Sequence, residues 1–234
     1  MSKNYLRVFT LRLIGNFLIL FSLFFIIKTF SDPIQAEIRY FADNTLFHKE
    51  YIVQSDTFET IPVNKKTPIP VKSQLASFFN IEQIETIRPV DPDFSIVIPK
   101  IAANARIIDN VNPADESDYL EKLKFGVAHA AGTYLPGQNG HIFLFAHSTD
   151  YVWNVSTYNA VFYLLYKLDE GDEVDIFFEG RRHVYTVTGK KVVEPTDVQY
   201  LTNKTESEYL TLQTCWPPGT TLKRLLVFAK PKVT

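Results

Sequence analysis

The chain contains a single cysteine, Cys215, among its 234 residues. Cysteine is most often a small buried hydrophobic residue, but a histidine and an arginine suggest a different role for this one. His147 ends the apolar segment HIFLFAH (141–147), and Arg224 follows Cys215 by nine residues. A thiolate is a nucleophile, a histidine can protonate a departing amine, and an arginine can stabilise an oxyanion. Together, these groups would support acyl transfer through a thioester.

The segments around these residues predict strands that end, or begin, at the three side chains. In TLQTC (211–215), successive side chains point to opposite faces of a strand, with Cys215 at its end. A buried strand ends at His147, and another begins at Arg224. The short connection WPPGTTLK (216–223) predicts that the last two strands are neighbours, which would bring Arg224 near the thiol. Strand ends and loops are where scaffolds present catalytic groups.

The rest of the C-terminal part predicts further short strands and few helices. Six or more strands at close spacing indicate a β-barrel or a β-sandwich. A hairpin turn is expected at Gly180–Arg181. The other predicted strands are FSIVIP (94–99), ARII (105–108), EVDIFFEG (173–180) and RHVYTVTGKKVVE (182–194), and the predicted helices are 113–123 and 159–168.

The N-terminus has the pattern of a membrane anchor. LIGNFLILFSLFFII (13–27) follows Lys3, Arg7 and Arg12, and Lys28 and the helix breaker SDP follow it. Extended to Val8 and Phe30, the segment reaches the roughly 20 residues that a spanning helix needs. The preceding positive charges predict a cytoplasmic N-terminus.

A cleaved signal peptide is the alternative, but no small-x-small cleavage site is evident after Phe30. A buried helix of a cytosolic protein fits less well, because the segment is apolar all round. We predict an uncleaved single-pass anchor in the cell membrane over residues 1–30, with the rest of the chain extracytoplasmic. A lone thiol is unusual in such an oxidising setting.

Residues 31–92 predict an extracytoplasmic stalk or linker. Prolines interrupt the stretch, and only 74–87 has the pattern of a short amphipathic helix. The catalytic domain is expected over 93–234.

Charge and motifs exclude several other classes of function. The net charge is −2, and no glycine-rich phosphate-binding motif occurs, so nucleic-acid and nucleotide binding have no support. No cysteine cluster could bind zinc. The acidic stretch DEGDEVD (169–175) lacks the spacing of an EF-hand loop. We therefore predict no cofactor and no metal, and nothing in the sequence favours activation by calcium.

Several ordered motifs resemble those of the sortases, membrane-anchored cysteine transpeptidases of bacterial surfaces. TLQTC matches the family's TLxTC motif, and RLLVFA (224–229) resembles the strand that carries its arginine. FGVAHAAGTYLPGQNGHIFLFAH (125–147) resembles the run leading to its catalytic histidine, and FSIVIPKIAANARI (94–107) resembles its first strand. Gln138, His141 and Ala146 depart from residues common in the family and leave the subclass open, with motifs similar to classes C, D and E.

The resemblance implies a mainly β fold, the eight-stranded sortase β-barrel with short helices, preceded by the transmembrane helix. It implies that Cys215 is the nucleophile, His147 the general acid and base, and Arg224 the oxyanion and substrate clamp. His129 is a rival base that we do not favour. Asp150 either orients His147 or is a solvated carboxylate, and Trp216 either lines the groove or packs beside the turn.

The function that the resemblance implies is cleavage of surface proteins at a C-terminal LPxTG-like sorting signal. Transfer to an amine would follow, from a cell-wall precursor or a pilin lysine. The partners would be those surface proteins, the amine donor and the cytoplasmic membrane. Two alternatives are a thiol peptidase that only hydrolyses its substrate and an inactive surface-binding module.

Overall fold

The computed structural model describes residues 3–47, 49–54, 84–148, 161–203 and 205–232. The chain separates into two compact units, one ending at Arg39 and one beginning at Tyr40. The first unit consists of most of helix α1 (Lys3–Phe41). Its segment Arg7–Lys28 has 22 residues and a mean hydropathy of 2.1. At about 1.5 Å per residue, this segment is long and apolar enough to serve as a membrane anchor.

Helix α1 does not end at SDP (31–33), where the sequence suggested a stop. It continues through Pro33 to Phe41. The Ser31 hydroxyl donates to the Lys28 carbonyl at 3.0 Å. Beyond the proline, IQAEIRYF (34–41) contains mostly residues that favour helices, which allows the helix to resume after the interruption.

The second unit contains a closed barrel of eight strands, which confirms the predicted fold class. Its first strand begins at Phe94. The domain boundaries that we inferred from the sequence, at residues 30 and 92, stay predictions. Around the barrel the strands follow the order β10–β8–β7–β3–β4–β5–β6–β9. Their bounds are β3 (Phe94–Ile98), β4 (Ala103–Val111), β5 (Val127–Ala130), β6 (His141–Phe145), β7 (Glu173–Phe178), β8 (Arg181–Val193), β9 (Tyr209–Trp216) and β10 (Lys223–Pro231).

Alternation along the strands fills the barrel interior. Ile142 and Leu144 on β6 and Leu210 and Leu212 on β9 are completely buried. Side chains two apart on a strand share a face, so these four belong to one inward-facing layer. The intervening side chains, such as Gln213, lie on the outer face.

A short 3₁₀ turn, Leu165–Lys167, lies where the sequence predicted a helix over 159–168. Residues 159 and 160 lie outside the described part of the chain, and 161–164 form turns. Phe162, Leu165 and Leu168 are fully buried at intervals of three residues. That interval matches the three residues per turn of a 3₁₀ helix, so the buried spacing explains why the α-helix prediction was wrong here.

Two other local features are clear from the backbone. Helix α2 (Glu116–Lys122) begins after Asp115, whose carboxylate accepts from the backbone of Ser117 at 3.0 Å, as expected of an N-cap. The β7–β8 turn is formed by Glu179 and Gly180, with φ of 49° and 72°, rather than by Gly180–Arg181. Two successive positive φ angles are typical of type I′ hairpin turns.

A two-stranded parallel sheet precedes the barrel in the sequence. It consists of β1 (Glu50–Val53) and β2 (Ile84–Ile87). The helix predicted over 74–87 is wrong at its C-terminal end, because Ile84–Ile87 is a strand, and its remainder lies outside the described residues. Val53 is buried against Val97 and Phe177 of the barrel wall. The last helix, α3 (Gln199–Thr202), lies between β8 and β9 along the chain.

Candidate active site

The cysteine strand has the histidine strand as its parallel neighbour. The register between β6 and β9 runs without a break from His141 opposite Tyr209 to Phe145 opposite Gln213. One residue further, the Ala146 N–H donates to the Gln213 carbonyl at 3.1 Å. In a parallel ladder this bond sets Ala146 level with Thr214. His147 is therefore level with Cys215 at the ends of the two strands.

On its other side, the cysteine strand pairs with the arginine strand. Strands β9 and β10 are antiparallel, and Arg224 is the direct partner of Cys215. Directly opposed residues of antiparallel strands point to the same face, with Cβ atoms about 4.5–5.5 Å apart. The structure thus places Cys215 and Arg224 side by side on adjacent strands and His147 two residues beyond the end of the neighbouring β6, although the three lie 68 and nine positions apart in the chain. Their catalytic roles stay predictions.

Thr214, the residue before the cysteine, is a structural feature that the sequence did not single out. Its hydroxyl donates to the Ala146 carbonyl at 2.9 Å, and its side chain is buried. The bond joins the residue that precedes Cys215 to the residue that precedes His147. The sequence did contain a signal for this bond, because a polar threonine on the inward face of a strand, directly before a candidate nucleophile, needs a hydrogen-bond partner.

The thiol is half-buried, and this decides its acidity. Burial raises the pKa of Cys215 above its ordinary value, and the positive charge of Arg224 opposes the rise without cancelling it. Desolvation disfavours the charged form of any group, so the neutral thiol predominates at pH 7. The sequence led us to expect a thiolate stabilised by its cationic neighbours. The structure shows instead that burial outweighs the arginine.

The guanidinium of Arg224 is anchored by its own strand. Its Nη1 atom donates to the carbonyls of Thr221 at 3.1 Å and Lys223 at 3.2 Å. The arginine side chain has five N–H donors in a planar fork, and these two bonds use only one of its nitrogens. The remaining donors can therefore bind a carbonyl or carboxylate oxygen in the groove.

The rival histidine, His129, is embedded in the barrel wall. It lies on β5, and its side chain is buried. Its Nδ1 atom is 2.6 Å from a carboxylate oxygen of Asp109. Its Nε2 atom is 2.9 Å from the Thr133 hydroxyl and 3.0 Å from the Tyr134 carbonyl. Both ring nitrogens are engaged in the wall, which favours a structural role for this histidine.

The structure gives information on two of the three remaining candidates, which are Asp150, Trp216 and the acidic stretch 169–175. Asp150 lies outside the described residues. The Trp216 ring is 5.4 Å from the Tyr166 ring at an angle of 54°, so it packs against the 3₁₀ turn. Asp169 and Asp172, in the acidic stretch considered for calcium, both bind the Lys100 ammonium, at 3.0 and 2.8 Å. Within the part of the chain that the structure describes, no group of three or more His, Cys, Asp or Glu could hold a metal.

Comparisons with known proteins agree on one family. The sortase domain family matches residues 96–232, more than half of the chain. Sortase D of Bacillus subtilis (strain 168) is 30% identical over 136 residues, which cover 57% of this chain and 60% of that protein. The match thus spans less than two thirds of this curated relative.

Solved structures with a similar fold include two sortases. One is sortase C1 of GBS pilus island 1, which is 30% identical, with a TM-score of 0.51 over 60% of this chain and 64% of that one. The other is a lid mutant of sortase A from Corynebacterium diphtheriae, which is 28% identical, with a TM-score of 0.50 over 62% of this chain and 72% of that one. The barrel, the order of its strands and the extent of the family match lead to one conclusion: the chain belongs to the sortase family.

Proposed function

We propose that this protein is a transpeptidase that cleaves a C-terminal LPxTG-like sorting signal and joins the new carboxyl end to an amine. The observation that carries the proposal is the common level of Cys215 and Arg224 on paired strands and of His147 just beyond the end of the neighbouring β6. A nucleophile, a proton donor and an oxyanion stabiliser at one strand end are the groups that acyl transfer needs.

The chemistry begins when the Cys215 thiol gives its proton to His147, and the resulting thiolate attacks the carbonyl carbon of the substrate threonine. Arg224 stabilises the negative oxygen of the tetrahedral intermediate. As the Thr–Gly bond breaks, His147 donates a proton to the departing glycine amine. The acyl group is then held on sulfur as a thioester.

An acceptor amine completes the cycle. Its nitrogen attacks the thioester carbonyl, and His147 takes the proton that the amine loses. The C–S bond breaks, the new amide forms, and the departing sulfur recovers its proton from His147, which restores the thiol. The acceptor proposed is a cell-wall precursor or a pilin lysine, and the apolar helix of Arg7–Lys28 would hold the enzyme at the membrane, where anchored substrates also lie.

Transpeptidation is tested with the purified full chain in detergent, a library of fluorescent peptides with LPxTG-like motifs, and a set of amines. Ligated product identified by mass, dependent on both the amine and Cys215, is the expected result. The matched control is Cys215→Ala. Hydrolysed peptide whose yield is insensitive to amine would identify a thiol peptidase. No turnover of any library member by the folded protein would favour a binding module and contradict the proposal.

A further inference from the structure

A lysine lies between two aromatic rings at the rim of the barrel. The Lys167 ammonium is 5.1 Å from the ring centroid of Tyr40 and 4.8 Å from that of Tyr166. Both distances are within the roughly 6 Å over which a cation is attracted to a ring face. Lys167 belongs to the 3₁₀ turn, and Tyr40 belongs to the last turn of α1.

These contacts continue to the residue beside the candidate nucleophile. The Tyr166 ring packs against the Trp216 ring, with centroids 5.4 Å apart. Trp216 directly follows Cys215 and is the last residue of β9. Tyr40, Lys167, Tyr166 and Trp216 thus form a continuous row of side chains, which we name the aromatic–lysine row.

Two members of this row, Tyr40 and Tyr166, are held by further bonds. The Asn44 amide donates to the Tyr40 carbonyl at 3.0 Å and to the Lys100 carbonyl at 3.5 Å. Lys100 in turn binds Asp169 and Asp172, just after the 3₁₀ turn. The turn itself is fixed from β8, because the Lys190 ammonium donates to the Tyr166 carbonyl at 2.8 Å.

We propose that Tyr40 and Lys167 are positioning residues for the active site. By fixing the Trp216 ring through Tyr166, they hold the end of β9, and with it the Cys215 sulfur, in a single position. Tyr40 lies more than 50 residues before the start of the family match at residue 96. The unit that arranges the thiol therefore includes the end of α1. As a statement about catalysis, this inference rests on the proposed function.

The test uses the full chain in detergent with Trp153→Phe, which leaves Trp216 as the only tryptophan. Two properties of the site are measured without any substrate. One is the quenching of Trp216 fluorescence by acrylamide, and the other is the rate at which a neutral alkylating reagent modifies Cys215, the only thiol. The disruptive variants are Tyr40→Leu and Lys167→Met, and the conservative partners are Tyr40→Phe and Lys167→Arg.

In Tyr40→Leu, which loses one cation–ring contact, we expect both quenching and alkylation to rise by about two- to fivefold, and Lys167→Met, which loses two, should change them at least as much. The conservative variants should match the parent, because a phenyl ring or a guanidinium preserves the contact. The control is Phe41→Leu, which removes a neighbouring aromatic ring that is 55% exposed. Thermal unfolding of each variant shows which comparisons involve folded protein.

Parent-like quenching and alkylation in folded Lys167→Met would overturn the inference, and so would equal changes in Lys167→Met and Lys167→Arg. Turnover of sorting peptides is measured in parallel. The variants in which alkylation of Cys215 rises should also have a lower kcat. If the parent chain itself has no transpeptidase activity, the proposed function fails. The two substrate-free measurements still decide whether the row positions the thiol.

Discussion

At the scale of single residues, the site depends on a balance between burial and charge at one sulfur. Burial raises the pKa of Cys215, and Arg224 opposes the rise from the adjacent strand. A buried thiol that is mostly protonated is protected from indiscriminate reaction, because the thiolate is the reactive species. We propose two functions for the arginine, which are to favour the thiolate before attack and to stabilise the oxyanion after it.

The first prediction concerns the pH dependence of the thiol. Because burial favours the neutral form, the alkylation rate of Cys215 should keep rising with pH beyond the range of an ordinary exposed cysteine. Arg224→Gln removes the charge that opposes this rise, so it should move the apparent pKa of Cys215 higher still and slow alkylation at pH 7. Lys223→Gln, which removes a neighbouring exposed cation, is the control. An unchanged or lower pKa in Arg224→Gln would refute this account.

The second prediction concerns the geometry of the arginine. Arg224→Lys keeps the positive charge but loses the planar fork, which already donates to Thr221 and can bind an oxyanion with its other nitrogens. We expect kcat/KM for peptide transfer to fall by about 100-fold or more, the size seen when an oxyanion donor is removed. Steady-state kinetics on the best library peptide provide the measurement. Activity within a few-fold of the parent would argue against the clamp role.

At the scale of elements, strand order accounts for the site. Strand β9 has β6 as a parallel neighbour and β10 as an antiparallel neighbour, so chain segments that are distant in sequence end at the same level. Thr214 adds a side-chain bond to the ladder between β6 and β9. Because the hydroxyl is buried, water cannot replace that bond when it is lost.

The third prediction follows from this bond. Thr214→Val keeps the shape of the side chain but leaves the Ala146 carbonyl without its hydroxyl donor, and we expect a loss of about 1–3 kcal/mol in the free energy of unfolding. The control is Thr188→Val. The Thr188 hydroxyl also donates to a carbonyl, that of Phe228 at 3.3 Å, but it is exposed, so water can replace it. Urea unfolding of both variants tests the difference, and equal losses would contradict the argument from burial.

The sequence predicted most of the barrel because its strands alternate strongly and its turns carry glycine and proline. It also predicted that the strands carrying Cys215 and Arg224 are neighbours, as their register shows, while the catalytic roles of His147, Cys215 and Arg224 stay predictions. It failed where tertiary contacts override local preference. Ile84–Ile87 became a strand because β1 pairs with it, and Leu165 adopts a 3₁₀ turn because the barrel mouth buries every third residue. Relative burial of the thiol depends on packing, so the direction of its pKa shift could not be read from the sequence.

At the scale of the whole molecule, a partly buried ion pair between two barrel strands also contacts the segment before the barrel. Asp175 is completely buried, and the Arg182 guanidinium binds it at 2.8 Å. Burial raises the pKa of Asp175, while its bond to Arg182 opposes the rise. The same guanidinium donates to the Val53 carbonyl at 3.3 Å, so the pair also holds β1 against the barrel wall.

The fourth prediction tests this pair. Arg182→Met would leave Asp175 buried without its main partner and should cost about 3–5 kcal/mol of unfolding free energy. The double variant Arg182→Met with Asp175→Leu removes both charges and should recover most of that loss. Urea unfolding of the single and double variants gives the coupling. A double variant less stable than the single one would show that the pair is not the main interaction at this position.

The fifth prediction concerns membrane topology. With an N-terminal anchor and positive charges before it, Cys215 should face the outside of the cell. A membrane-impermeant maleimide should therefore label the full chain in intact cells, and Cys215→Ser should abolish the labelling. Labelling that requires permeabilised cells would place the barrel in the cytoplasm and contradict the proposed location.

The unbroken ladders on both sides of β9 have a consequence for how this chain could change over time. Inserting or deleting one residue between Leu210 and Cys215 would exchange the faces of every side chain beyond that point. The sulfur would then turn toward the barrel interior, and Thr214 or Trp216 would take its place. Substitutions at many positions of this strand are therefore tolerable, whereas a change in the number of its residues is not.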